Sequence, residues 1–153
     1  MTTDVFSIHA TTVKINSHAV ILRGPSGAGK SDLALRLIDV GAQLISDDQT
    51  GLFIENNILY ARSANNLSRL IEVRGLGILT TDPAPPSAVG CIIDLMPGPR
   101  PDKEENRLPP PQTTPLLGQN ISLFQLYPFD LSAVIKVKLA LGLATGTQLR
   151  HDK

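Results

Sequence analysis

Eight residues constrain this chain more than any others. Gly24-Pro25-Ser26-Gly27-Ala28-Gly29-Lys30-Ser31 joins a short apolar run, Ala19-Val20-Ile21-Leu22, to a stretch with helical period. Leu33, Ala34, Leu37 and Ile38 share one face of that stretch, Asp32 and Arg36 stand four apart, and Gly41 ends it. A strand running into a glycine-rich turn and then a helix aims successive backbone N–H groups at one point. The helix N-terminus adds partial positive charge there. In this context G-x-x-x-x-G-K-S is a specific pattern. It predicts a phosphate cradle over Gly24, Pro25, Ser26, Gly27, Ala28, Gly29, Lys30 and Ser31. Lys30 would reach the β- and γ-phosphates of a nucleotide, and the Ser31 hydroxyl would ligate Mg²⁺.

Such a loop sits in an α/β fold, here expected to be one domain over residues 1–153. Lys plus Arg and Asp plus Glu are each 14, so no overall basic field draws the chain to nucleic acid. No apolar run reaches membrane-spanning length, and no basic stretch leads into an apolar core at the start. The single cysteine, Cys91, lies in the apolar run 89–93 and reads as a small buried hydrophobe in a protein of the reducing cytoplasm.

The opening, residues 6–15, alternates like a half-buried strand. Leu44-Ile45-Ser46 is a strand that delivers Asp47 and Asp48 at its carboxyl end, and residues 51–54 and 58–61 read as a hairpin. Leu67, Leu70 and Ile71 have helical spacing, and the glycines of Glu72-Val73-Arg74-Gly75-Leu76-Gly77-Ile78 suit a tight path near a ligand. Proline clusters at 82–86, 97–101 and 109–115 mark loops, with strands between or after them at 91–95 and 121–126. The polar run 102–107 reads as a solvated loop. Asp130 would cap a last helix, through about Leu143, whose packed face carries Leu131, Val134, Ile135 and Lys138.

A phosphate loop also needs acids that position magnesium and activate a nucleophile. Asp94 ends an apolar strand, as a magnesium-side aspartate would, but almost any strand meeting a turn can end this way. The pair Asp47-Asp48 says more. In a right-handed β-α-β unit, the end of the strand after the first helix lies on the same edge as the loop. His9, Glu72 and Arg74 are suspects on spacing.

Three motifs stand in one order: the loop GPSGAGKS, Gln43-Leu44-Ile45-Ser46-Asp47-Asp48, and Ile71-Glu72-Val73-Arg74-Gly75-Leu76-Gly77-Ile78. In this the chain resembles the catalytic domain of bacterial HPr kinase/phosphorylase, over most of its length from about Ile8. The resemblance implies a twisted sheet around a central phosphate-loop helix, of the HPr kinase/phosphoenolpyruvate carboxykinase type. It implies ATP and Mg²⁺ as cofactors and transfer of a phosphoryl group to a serine of HPr or a nitrogen-related HPr analogue. A homo-oligomer, a hexamer as in family members, is also implied. Carried over by position, Asp47 is the base and His9 its support, Lys30 holds phosphate, and Ser31, Asp48 and Glu72 form the magnesium shell. Arg107, in an Arg-Leu pair, would offset charge on the moving phosphoryl group. Before Ile8 there is no room for the N-terminal domain of full-length members, so the likeness is to the short form.

The family carries a basic loop before its last helix, associated with the reverse phosphorylase reaction. Residues 126–132 hold no arginine here, which leaves that reaction open. Two other readings remain. One is a small-molecule or nucleotide kinase, although no arginine-rich lid is visible. The other is a module that binds nucleotide and signals to a partner without transfer.

Overall fold

The computed structural model describes residues 6–64, 69–101 and 107–151. The chain order is β1 (Phe6–His9), β2 (Thr11–Ile15), β3 (His18–Arg23), α1 (Lys30–Asp39), β4 (Gln43–Ser46), β5 (Gln49–Glu55) and β6 (Ile58–Ser63). There follow β7 (Leu70–Val73), β8 (Gly77–Thr80), β9 (Ser87–Leu95), β10 (Gln112–Leu116), β11 (Gln119–Leu126) and α2 (Ala133–Thr145).

The nine-stranded sheet is organised around β9, whose main length lies between β3 and β11, parallel to both. Strands β2 and then β4 extend it beyond β3, and β10 closes it beyond β11. At its start β9 pairs with β6 through Ser87 and Ala88, and β5 and β1 follow outward. Both faces of the centre are covered, which is why β3 and β9 read as continuous apolar runs. Val20, Leu22, Cys91 and Ile93 pack with Leu33 and Leu37 of α1 and Val137 of α2. Ala19, Ile21 and Ile92 face the opposite cluster with Ile45 and Leu52. The fold is therefore the α/β phosphate-loop sheet with a helix at its centre that the motifs imply.

Two antiparallel steps, β3 to β2 and β2 to β4, make β4 run in the same direction as β3 with β2 inserted between them. The carboxyl ends of β3 and β4 thus share an edge, and the acidic pair arrives beside the phosphate loop. The alternating segment 6–15 is two strands, not one. The chain crosses at Ala10 from β5 to β3, so that His9 and Thr11 flank the corner between β4 and β5. The hairpin 51–54/58–61 is present and longer, closed by Asn56 and Asn57 with φ of 53° and 64°. Two successive positive-φ residues give the primed turn that matches strand twist.

Several expectations are corrected. Leu70 and Ile71 lie in strand β7 of a separate two-stranded ribbon with β8, not in a helix; Leu67 is outside the described residues, as are 102–106 of the polar run. Part of the last proline cluster forms edge strand β10, where Pro115 is tolerated because an edge residue has no ladder bond to lose. The N-cap of α2 is Ser132 rather than Asp130, whose carboxylate instead receives Arg100 and Lys136. The packed face of α2 carries Ala133, Val137, Ala140 and Leu141, while Leu131, Ile135 and Lys138 are exposed. A helix so uniformly apolar offers little period from which to read its inner face. Among the described residues, no helix is long and apolar enough to cross a membrane.

Candidate functional site

The loop between β3 and α1 turns on Gly27 and Gly29, with φ of 84° and 100°, a region only glycine enters at low cost. No side chain caps the start of α1, so the first-turn N–H groups face outward in the arrangement that receives an anion. Lys30 is buried, and its Nζ donates to the carbonyls of Gly24 (2.6 Å) and Pro25 (3.1 Å). These bonds hold its ammonium inside the ring of the loop, where phosphate oxygens would approach.

The two aspartates of the acidic corner have different partners. Ser31 donates through Oγ to Asp47 Oδ1 at 2.7 Å, and Thr11 donates to the same oxygen at 3.0 Å. The backbone N–H of Glu72 approaches Asp47 Oδ2 at 3.5 Å. Asp48, with φ of 68°, is exposed and lies 2.8 Å from His9 Nε2 through Oδ1. Thr11, wholly buried, also accepts the Asp48 N–H at 3.2 Å, so one hydroxyl fixes both aspartates. His9 is thus placed against Asp48 and not against Asp47.

These groups open into one cavity of about 610 Å³. It is lined by phosphate-loop residues, by Asp47, Asp48, Glu72 and Arg74, and by Asp32, Leu35 and Phe129. Arg107 is exposed on the loop after the second proline cluster and is not among the lining residues. The donors turned toward the cavity, a hydroxyl and three carboxylates beside a phosphate loop, are the hard oxygens Mg²⁺ prefers. No described group of three or more His, Cys, Asp or Glu forms a closed metal cage. Mg²⁺ in nucleotide sites is completed by phosphate and water, so this donor set fits it.

Asp94, the competing acid, is engaged elsewhere. Arg23, its register partner on β3, donates to both carboxylate oxygens at 2.7 and 3.0 Å. Cys91 is buried, and burial pushes its thiol from the ordinary 9.0 up to about 12, the behaviour of a packing residue. The Arg100 hydrogen bond holds the Asp130 carboxyl below its usual range, helped by Lys136.

Sequence reasoning missed Thr11, Phe129 and Arg36, which come to the site only through the fold. Spacing offered a faint signal for Thr11 alone, two residues after His9 on an alternating segment.

Comparison with known proteins places the chain in a family. Residues 2–83 match the family model of the HPr serine kinase C-terminal domain. HPr kinase/phosphorylases of Streptococcus pneumoniae strains Hungary19A-6 and 70585 are each 38% identical over 74 residues, which is 48% of this chain and 24% of theirs. The chain therefore matches about a quarter of the length of these curated relatives. The HPr(Ser) kinase/phosphatase of Coxiella burnetii superposes with a TM-score of 0.75 at 26% identity, covering 93% of this chain and 92% of that one. By motif order, fold and family match together, this chain belongs to the HPr serine kinase C-terminal domain family.

Proposed function

We propose that this chain is an ATP- and Mg²⁺-dependent kinase that phosphorylates a serine of HPr or a close, nitrogen-related HPr analogue. One observation carries the reading: phosphate loop and acidic corner line one cavity, joined by the Ser31–Asp47 contact, with His9 bonded to Asp48 behind it. When bound, ATP with Mg²⁺ supplies the phosphoryl group and a partly neutralised leaving diphosphate. The loop N–H groups and Lys30 hold the phosphates, and Ser31, Asp47 and Glu72 face the metal side.

The geometry favours exchanging the roles expected of the two aspartates. Asp47 accepts the hydroxyl of the loop serine, as a magnesium-positioning aspartate of phosphate-loop proteins does. Asp48 is exposed, reachable by a serine on a protein surface, and oriented by His9. In transfer, Asp48 takes the proton of the acceptor hydroxyl as its oxygen bonds to the γ-phosphorus. The bond to the bridging oxygen breaks, and Lys30 with the loop holds the departing diphosphate. Arg74 stands in the cavity wall to offset charge. Arg107 lies outside the cavity lining, so its expected part in offsetting charge falls to Arg74. The absence of arginine from residues 126–132 supports the forward reaction over the reverse one.

The test is incubation of the purified chain with γ-labelled ATP, Mg²⁺ and HPr, with mapping of the labelled residue. Label on an HPr serine, lost in Lys30→Ala, is the expected result. ATP binding with no label on HPr or its analogue would instead favour the nucleotide-sensing module. Label passing to a nucleoside monophosphate would favour the small-molecule kinase.

A further inference from the structure

The lining of the nucleotide cavity is chemically mixed. Asp47, Asp48 and Glu72 line it, Asp47 bonded to Ser31, and so do the apolar side chains of Leu35 and Phe129, the latter against Gly29. Leu35 lies one turn after Ser31 and Asp32 on α1. The Phe129 ring is 66% exposed, which is costly for so large an apolar surface unless something covers it.

The ring is held in place. Its edge comes to 3.0 Å from where a Cβ on Gly29 would stand, so a side chain at Gly29 would crowd the ring. Arg36 donates to the carbonyl of Pro128 and also bonds Asp32 at 3.1 Å, tying the segment to α1. On the other side, Arg100 lies over the Tyr127 ring at 5.5 Å and bonds Asp130, as does Lys136. Residues on both flanks of Phe129 are thus anchored while its ring face stays open.

We propose that Phe129 is the platform on which the nucleobase stacks. The inference rests on the nucleotide reading above and extends it to the base. The acids must meet the γ-phosphate, because metal and proton chemistry occur there. The nucleoside then lies away from the acids, and an exposed aromatic ring set against Gly29, with its neighbour Pro128 bonded to Arg36, is what a base can stack on. Asp32 is already bonded to Arg36, so the platform reads the flat face of a base more than its edge.

The experiment is calorimetric titration of wild type, Phe129→Ala and Phe129→Trp with Mg·ATP and with Mg·tripolyphosphate. Wild type should bind ATP more tightly than tripolyphosphate. Phe129→Ala should lose about tenfold in ATP affinity and keep its tripolyphosphate affinity, and Phe129→Trp should restore ATP binding. Unchanged ATP affinity in Phe129→Ala, with tripolyphosphate still bound, overturns the platform alone. Equal loss of both ligands also overturns it, because the ring would then act only by packing on Gly29. Wild-type protein that binds neither ligand overturns the nucleotide reading itself.

Discussion

Two strand ends flank the phosphate loop, and each delivers a carboxylate. At the end of β9, Asp94 is clamped by both hydrogen-bonding arms of Arg23 and its charge is answered within the sheet. At the end of β4, the partners of Asp47 and Asp48 among the described residues are hydroxyls, a backbone N–H and one imidazole, and both line the cavity. The difference shows that position at the edge of a sheet does not make an acid functional. A carboxylate paired with an arginine of the fold already has its cation, whereas one bonded to hydroxyls and an imidazole can take a cation or proton from a ligand.

This contrast can be broken or sharpened by substitution. Asp47→Asn should raise the Mg²⁺ concentration needed for half-maximal transfer by at least about tenfold, as loss of a metal-positioning group does. An unchanged Mg²⁺ titration would remove Asp47 from the metal side. Thr11→Val keeps the shape but deletes the hydroxyl that fixes both aspartates. It should cost about 1–3 kcal/mol in urea-unfolding stability, because the site is buried and leaves the Asp48 N–H without its acceptor. Asp94→Asn should cost only about 1 kcal/mol, since the pair is about one-third exposed, and should leave transfer within about twofold of wild type. A large loss of transfer in Asp94→Asn would return that residue to the magnesium shell.

The smallest effects concern pH. The Cys91 thiol is raised in the folded chain to about 12 from 9.0, so it stabilises the fold fully below pH 9. That contribution is lost as pH rises from 9 toward 12, because the unfolded chain releases the proton first. Native Cys91 should therefore resist iodoacetamide at pH 9, whereas the urea-unfolded chain reacts. At the acid end, the Asp130 carboxyl is lowered, so its contribution is present above the usual carboxylate range and fades as pH falls through it. Arg100→Gln should flatten that acid limb of the stability curve.

The sequence made legible what depends on local order. The β3-loop-α1 unit is specified by an apolar run, a loop with three glycines and a helical period, all within 20 consecutive positions. The acids were legible because a β-α-β connection carries them to the same edge. What escaped depends on pairing across the chain. Leu70 and Ile71 fit a helix by spacing, but pairing with Ile78–Thr80 decides for a strand. Partner choice at the acidic corner followed from the crossing at Ala10, which puts His9 opposite Gln49 and beside Asp48. Phe129 reaches Gly29 from 100 positions later, and no local pattern encodes that contact.

On the proposed mechanism Asp48, oriented by His9, carries the proton of the acceptor serine. The most direct measurement is single-turnover transfer from γ-labelled ATP to HPr by Asp48→Asn, with ATP affinity measured on the same protein. ATP binding should stay within about twofold of wild type while transfer slows about 10²- to 10⁴-fold. Transfer at the wild-type rate by Asp48→Asn, with loss appearing in Asp47→Asn instead, would contradict it.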